Sequence, residues 1–199
     1  MLLSLQLFTQ NLIPNSNFEL YEDCPTALRQ LSKTKAWFSA SAGTPEYYNS
    51  CGLSANISPH SGEGMIGLIL YSDYYIDIEY AAVKLIDSLQ KGKEYCFEYF
   101  VRASDDAPVL IDKIGAFFSK SRIKLAHWKP INRKPQVYAE KILEPNRWVK
   151  QEGAFIAEGG ESYLTIGNFF NKKELHVRQY SPVRKDGWYA YYYFDDFNL

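Results

Sequence analysis

The sequence has almost no net charge and no long apolar run. Its 22 Lys and Arg residues nearly balance its 23 Asp and Glu residues, which gives a formal net charge of -1. A strongly basic field, which draws many proteins to nucleic acid, is therefore missing, and nucleic acid is disfavoured as a partner. No apolar run reaches the length of about 20 residues that a membrane-spanning helix needs, so we predict no transmembrane segment.

Histidines and paired acids are also scarce. The three histidines are isolated, with no HxH or HExxH spacing. Asp105 and Asp106 could serve as glycosidase acids, but nothing in the pattern makes two acids converge across a cleft. We therefore predict that the protein is not an enzyme, with a glycoside hydrolase as the least favoured alternative.

Three cysteines cannot all pair within one chain. Cys24 and Cys51 lie in loop-like segments rich in turn residues, where an exported protein could link them as a disulfide. Cys96 lies inside a strand pattern and is predicted to be a buried free thiol. The spacings match no CxxC zinc motif.

Aromatic residues, by contrast, are abundant: the chain has 16 Tyr, 12 Phe and 4 Trp. Their flat rings suit half-buried pleated surfaces, so they favour strands. Apolar patterns separated by turn signals predict seven strands, at 64–71, 79–86, 94–103, 113–119, 148–157, 163–170 and 188–199. With no convincing long helix, the fold class is predicted to be all-β, a jelly-roll β-sandwich.

The two ends of the chain frame a single predicted domain at 10–199. Residues 1–9 are apolar and resemble the trailing part of a signal peptide, and an ordinary first strand is the alternative. A short strand, interrupted by Pro14 and Asn15, is predicted within 11–21. The segment 24–53 is predicted to be a long ordered loop.

The last strand carries two adjacent carboxylates, Asp195 and Asp196. Strict alternation puts Asp195 on one face with Tyr191, Tyr193 and Phe197, among aromatic rings. An ionised group there is normally paired, protonated or metal-bound, and the strand itself has no basic residue. A metal or a distant arginine is therefore implied.

Basic and aromatic residues alternate along 121–144 without a clear period until a possible strand near Val137. Such a segment could grip an acidic polymer or a phosphate. A solvated loop is the alternative, and it is favoured because charge clusters usually only hydrate a surface.

Several motifs carry a resemblance over nearly the whole chain: NLIPNSNFE at 11–19, HSGEGMIGL at 60–68 and the terminal YYYFDDFNL. Together they resemble carbohydrate-binding modules of the galactose-binding-like jelly-roll fold. GTPEYYNSC at 43–51 and GGESYLTIGNF at 159–169 look like a version found in Gram-negative surface proteins related to outer-membrane protein A.

This resemblance implies a structural calcium that joins the chain ends. By matched motif, its ligands would be Glu19, the backbone around Gly62, and Asp195 with Asp196 as second choice. Calcium is a hard cation that takes several oxygen ligands and could neutralise a carboxylate isolated on a packed face.

The resemblance also implies a non-catalytic, exported module that binds carbohydrate or cell-surface glycan, at the outer membrane or outside the cell. Such a site needs flat aromatic faces and a few amides or carboxylates. The residue types that meet this need are found at Trp37, Tyr47, Tyr48, Asn49, Trp128 and Asn168. The alternative is a structural or adhesive envelope domain that mediates protein contacts.

Overall fold

The computed structural model describes residues 10–73, 78–182 and 187–199. The predicted signal-peptide remnant, residues 1–9, lies outside these described residues. The described part contains only two helical turns, of the 3-10 type, at Leu31–Lys33 and Lys172–Glu174. Neither is long enough to cross a membrane.

Two five-stranded antiparallel sheets form the fold. The front sheet contains, in spatial order, β2 (Glu46–Asn49), β3 (Gly64–Ser72), β12 (Tyr189–Asn198), β5 (Glu94–Ala103) and β9 (Val149–Ile156). The back sheet contains β1 (Trp37–Ser39), β4 (Ala81–Lys84), β10 (Tyr163–Asn168), β7 (Ile114–Ser119) and β8 (Val137–Tyr138). A ribbon of β6 (Val109–Ile111) and β11 (Val177–Gln179) completes it. The predicted all-β jelly-roll sandwich is confirmed.

The core lies between the two sheets and is built by period-two alternation. In β5, Tyr95, Phe97, Tyr99 and Val101 are buried, whereas the residues between them are more exposed. Successive side chains of a strand point to opposite faces, so one face of β5 packs on the core and the other faces outward.

The seven strands expected from alternation and turn signals are all present, with bounds shifted by a few residues. Five shorter strands were not among them, namely β1, β2, β6, β8 and β11, although β8 falls at the possible strand near Val137. β1 and β2 lie inside 24–53, so the prediction of one long loop there is wrong. All four positions of β2 and all three of β6 are buried, which removes the alternation that reveals a strand.

The predicted strand within 11–21 is also wrong, because this segment forms turns. Asn15 and Phe18 adopt left-handed backbone conformations, with φ of 48° and 59°. The Asn15 side-chain amide donates to the carbonyls of Leu20 and Lys35, and its Oδ1 accepts the Leu20 N–H. These side-chain bonds compete with a strand ladder and hold the turn.

A bulge in β12 changes which residues share a face. The register shifts between Asp195 and Asn198, and Asp196 has a φ of 48°. Phe197 consequently joins the core, with Phe194 and Tyr192, whereas Asp195 remains on the opposite face with Tyr193. The expectation that Asp195 and Phe197 share a face is therefore wrong, since a bulge inserts one extra residue into the alternation.

The structure confirms the predicted disulfide but not the predicted burial of the third cysteine. Cys24 and Cys51 form a disulfide, with Cα atoms 5.6 Å apart. Cys96 is a free thiol, but it is exposed rather than buried. It occupies an outward position of β5, between the buried Tyr95 and Phe97. The strand pattern was right, and the face assigned to Cys96 was wrong.

Candidate functional site

The segment 50–63 joins β2 to β3 and folds over the outer face of the front sheet. We call it the 50–63 loop. From Leu53 to His60 its residues alternate between partly buried and exposed, although it pairs with no strand. Its disulfide at Cys51 holds one end to Cys24.

The partly buried side of this loop packs on the sheet and forms a small second core. The loop contributes Leu53, Ala55 and Ile57, and the sheet contributes Tyr48, Met65 and Tyr193. This core is separate from the main core between the sheets. The loop is therefore held down by apolar contacts rather than left free in solvent.

A pocket of about 400 Å³ opens between the loop and the sheet. Its apolar surface comes from Tyr48, Met65 and Ile57, and its polar rim includes Ser54 and Asn56. Among the described residues, no side-chain hydrogen bond involves Ser54 or Asn56. A volume of this size is ordinary for a small-molecule site that combines an apolar floor with a few polar groups.

One carboxylate, Glu63, also lines the pocket. Its Oε2 accepts a hydrogen bond of 2.5 Å from the Ser50 hydroxyl, across the mouth of the loop. Asn49, at the edge of the pocket, is committed to the fold. Its amide donates to the Tyr47 hydroxyl (3.0 Å), and its Oδ1 accepts the Cys51 N–H (3.0 Å).

Of the six residues predicted to contact a ligand, only Tyr48 and Asn49 line this pocket. Tyr47 is fully buried, and its hydroxyl donates to the Phe18 carbonyl (2.8 Å). Trp37 is 3% exposed and packs on Phe18, with its indole N–H donating to the Asn15 carbonyl. Neither ring offers a face to a dissolved ligand.

The other two predicted residues lie on the side of the back sheet, Asn168 in β10 and Trp128 outside any strand. Asn168 is buried, and its amide donates to the Leu70 carbonyl (3.1 Å), which ties the back sheet to the front sheet. Trp128 is 43% exposed and lies in the segment that covers the back sheet. The predicted set is thus divided between the main core, a buried link between the sheets, the pocket and one remote surface.

Asp195 has no exposed surface and is held by backbone donors. Its Oδ2 accepts the Ser61 N–H (3.0 Å), and its Oδ1 accepts the N–H of Asp196 (2.8 Å). Burial raises the pKa of Asp195 to about 8, although these N–H groups lower it. The expected partner was a metal or an arginine, and the structure supplies main-chain amides.

Asp196 holds the same turn through side chains. Its two oxygens contact the Ser61 hydroxyl (2.7 Å) and His60 Nδ1 (2.5 Å). The His60 ring stacks on Phe100, with centroids 3.5 Å apart. The C-terminal end of the 50–63 loop is therefore fixed to β12 and β5.

Glu19 supports the turn from the other end of the chain. Its Oε1 accepts the N–H groups of Glu63 (2.9 Å) and Gly64 (2.8 Å). Gly62 has a φ of +56°, and a Cβ atom there would lie 2.3 Å from Glu19 Oε1. A glycine is required at this position both by the backbone conformation and by the carboxylate.

The predicted calcium ligands thus lie around one turn, but the atoms that face the carboxylates are N–H donors. Calcium is bound by oxygen ligands, often including backbone carbonyls. Within the described residues, no three His, Cys, Asp or Glu side chains form a metal-binding group. This donor set fits poorly a calcium ion of the kind that the family resemblance implies.

A second buried acid lies on the same face of the sheet. Glu46 is 7% exposed, and its Oε2 accepts a hydrogen bond from the Tyr191 hydroxyl (3.0 Å). That hydroxyl in turn contacts the hydroxyl of Tyr48 (2.9 Å), on the pocket floor. Burial raises the pKa of Glu46 to about 7.

Sequence reasoning missed the loop residues that form most of the pocket. The run LSANISPH at 53–60 alternates apolar and polar residues, a period-two signal that the sequence displays. The turn residues that surround this run obscure the signal. The residues that this signal could have identified are Ser54, Asn56 and Ile57.

Several solved structures are similar to this chain. The CBM22-1 xylan-binding domain of Xyn10C from Paenibacillus barcinonensis has 15% identity, covers 82% of this chain and 84% of its own, and has a TM-score of 0.46. The K1 cleaved adhesin domain of Lys-gingipain from Porphyromonas gingivalis W83 has 9% identity, coverage of 82% and 89%, and a TM-score of 0.46.

The C-terminal family 22 carbohydrate-binding module of Xyn10B from Clostridium thermocellum has 12% identity, coverage of 93% and 92%, and a TM-score of 0.41. No protein-family model matches the chain, and no curated protein matches it. Similarities this distant assign no ligand to the chain, so the argument for function depends on its own residues.

Replacing Gly62 by alanine should destabilise the protein more than the same change at Gly92. Both glycines have positive φ, but a Cβ at Gly92 would meet nothing within 4 Å. In Gly62→Ala, the Glu19 carboxylate must move and release two N–H groups, at an extra cost of about 1–3 kcal/mol. Urea denaturation measures the difference, and equal losses in the two variants would contradict the proposed contact.

The free energy of unfolding should fall as pH rises from about 4 to about 8. The reason is that Asp195 keeps its proton in the folded protein up to about pH 8, whereas the unfolded chain releases this proton near pH 4. Asp195→Asn should make this slope shallower, and adding Glu46→Gln should make it shallower again. The slope is measured by denaturation at several pH values. An unchanged slope in Asp195→Asn would show that Asp195 is not the titrating group.

Calcium should leave the melting midpoint unchanged relative to EDTA, because N–H groups already satisfy the carboxylates of the turn. An ion that binds only the folded state would raise the midpoint by mass action. A rise in calcium that Glu19→Gln abolishes would instead establish the calcium site implied by the resemblance.

Proposed function

We propose that the pocket under the 50–63 loop binds a neutral saccharide, and that the protein is a non-catalytic carbohydrate-binding module. The observation that carries this proposal is the combination of apolar surface from Tyr48 and Ile57 with the uncommitted polar side chains of Ser54 and Asn56. Sugars present C–H surfaces to apolar groups and hydroxyls to amides, so this combination suits them.

The carboxylates around the pocket support binding rather than hydrolysis. Glu63 is the one carboxylate among the described residues that line the pocket. Glycoside hydrolysis generally uses two carboxyl groups that flank the scissile bond. The buried Glu46 reaches the pocket only through the hydroxyls of Tyr191 and Tyr48. Binding therefore accounts for these residues without a reaction.

Export to a bacterial surface is the second part of the proposal. What supports it is the disulfide between Cys24 and Cys51, because such bonds persist in oxidising compartments and are rare in the cytosol. The disulfide adjoins the 50–63 loop, so oxidation would also hold one end of the binding pocket. A surface location would bring the pocket to glycans of the envelope or of other cells.

Asn56→Ala should weaken binding to a neutral oligosaccharide about tenfold, since it removes one hydrogen-bonding side chain from the pocket rim. Asn132→Ala is the matched control, because Asn132 is exposed and lies outside this pocket. Calorimetry against oligosaccharides of glucose, galactose, mannose and xylose gives the affinities. Failure of every sugar to bind the native protein would refute the proposal and favour the adhesive alternative.

A further inference from the structure

A basic segment, residues 120–136, lies on the outer face of the back sheet. Between β7 and β8, at positions 120–136, the chain has six Lys or Arg residues and no Asp or Glu, although its overall net charge is -1. Uneven charge of this kind concentrates a positive potential on one surface even when the whole protein is nearly neutral. The question is whether the segment is a solvated loop or a built surface.

Backbone bonds and apolar contacts fix this segment to the sheet. The N–H of Leu125 donates to the Ala40 carbonyl (2.9 Å), and the His127 carbonyl accepts the N–H of Ala42 (3.3 Å). Further along the segment, the N–H of Ile131 donates to the Tyr80 hydroxyl (2.9 Å). Both residues belong to a third apolar cluster, on the outer face of the back sheet. The segment is a loop with exposed cations, as the sequence favoured, and it is also ordered by these specific contacts.

A groove of about 800 Å³ runs where this segment meets β7. Three cations line it, namely Lys120, Arg133 and Lys134, and all three are exposed. Within the described residues, none of the three has a carboxylate partner within 4.0 Å. By contrast, Lys150 on the other sheet contacts both Glu98 (3.2 Å) and Glu152 (2.6 Å). The groove therefore holds three cations without a protein counter-ion.

The remaining walls combine apolar and acceptor groups. Phe117, Ile123 and Pro135 supply apolar surface. Glu161 is buried, and its two oxygens accept the N–H groups of Glu158 (2.7 Å) and Gly159 (2.8 Å), so the surrounding turn already uses it. Glu158 is exposed on the wall and can accept hydrogen bonds from a ligand's hydroxyl groups.

We propose that this groove binds an acidic polysaccharide, one whose sugar rings carry carboxylate or sulfate groups. The anionic groups would contact Lys120, Arg133 and Lys134, the ring C–H surfaces would lie on Phe117, and the hydroxyls would donate to Glu158. Arginine and lysine form strong charge-assisted hydrogen bonds with such oxyanions, and because the backbone of the segment is already ordered, only the side chains lose freedom on binding.

A polynucleotide fits the same groove less well. Its backbone offers few hydroxyl groups that could donate to Glu158 on the wall, whereas the rings of a polysaccharide offer several each. Phe117 and the buried Phe118 are the aromatic residues that line the groove, and single-stranded nucleic acids are usually bound by several stacking rings. The hydroxyl groups of a polysaccharide therefore match the groove better.

The test compares two double variants that lose the same charge from the same segment. Arg133→Gln with Lys134→Gln removes two groove cations, and Lys124→Gln with Lys129→Gln removes two exposed cations outside the groove. Binding to polygalacturonate and to heparin is measured by calorimetry at low and high NaCl. We expect the native protein to bind one of them and to lose affinity with salt.

The groove variant should lose about tenfold in affinity, and the matched variant should stay within about twofold of the native protein. Equal losses in the two variants, or no binding to either polymer at low salt, would overturn the proposal, as would tighter binding to single-stranded DNA. Equal melting midpoints confirm that both variants fold. This site is independent of the pocket under the 50–63 loop, so Asn56→Ala should leave acidic-polymer binding unchanged.

Discussion

The buried carboxyl group of Asp195 is the constraint on which the arrangement of the front sheet depends. A carboxyl group with no exposed surface needs hydrogen-bond partners, because its desolvation is costly. The N–H groups of Ser61 and Asp196 meet that need, and they do so only if the loop turn lies directly over β12. The hydrogen bonds of this one acid therefore help to fix the position of the pocket, together with those of Asp196 and Glu19.

The same requirement explains the bulge at the end of the last strand. By bonding the N–H of Asp196, Asp195 takes it out of the regular ladder, and the next side chain turns toward the core. Phe197 then packs on Trp37, Phe18 and Tyr99, with ring centroids 5.1–5.8 Å apart. One extra residue thus lets neighbouring positions serve the turn and the core.

The long strands could be predicted because their alternation is visible in the sequence, whereas β2 and β6 are buried at every position and give no such signal. The face of Phe197 could not be predicted, since alternation carries no information about a bulge. Counting aromatic residues found Tyr48 but also selected Trp37, because a ring used for packing and a ring used for binding look alike in sequence. The polar residue Asn56 becomes informative only once its loop is known to cover a sheet.

Loop segments cover part of each outer face of the sandwich, and glycines in the back sheet determine how closely its cover can lie. A Cβ at Gly167 would be 2.3 Å from the Tyr80 ring, and one at Gly115 would be 2.9 Å from Pro135. These glycines let Pro135 of the basic segment, and the Tyr80 ring that Ile131 contacts, lie directly on the sheet, and the groove opens where the segment meets β7. On the front sheet, the turn at Asp195 fixes the loop and leaves space beside Asn56. The chemistry of each cavity is thus set by the segment that borders it. The pocket is bordered by the polar and nearly uncharged 50–63 loop, and the groove by the cationic basic segment.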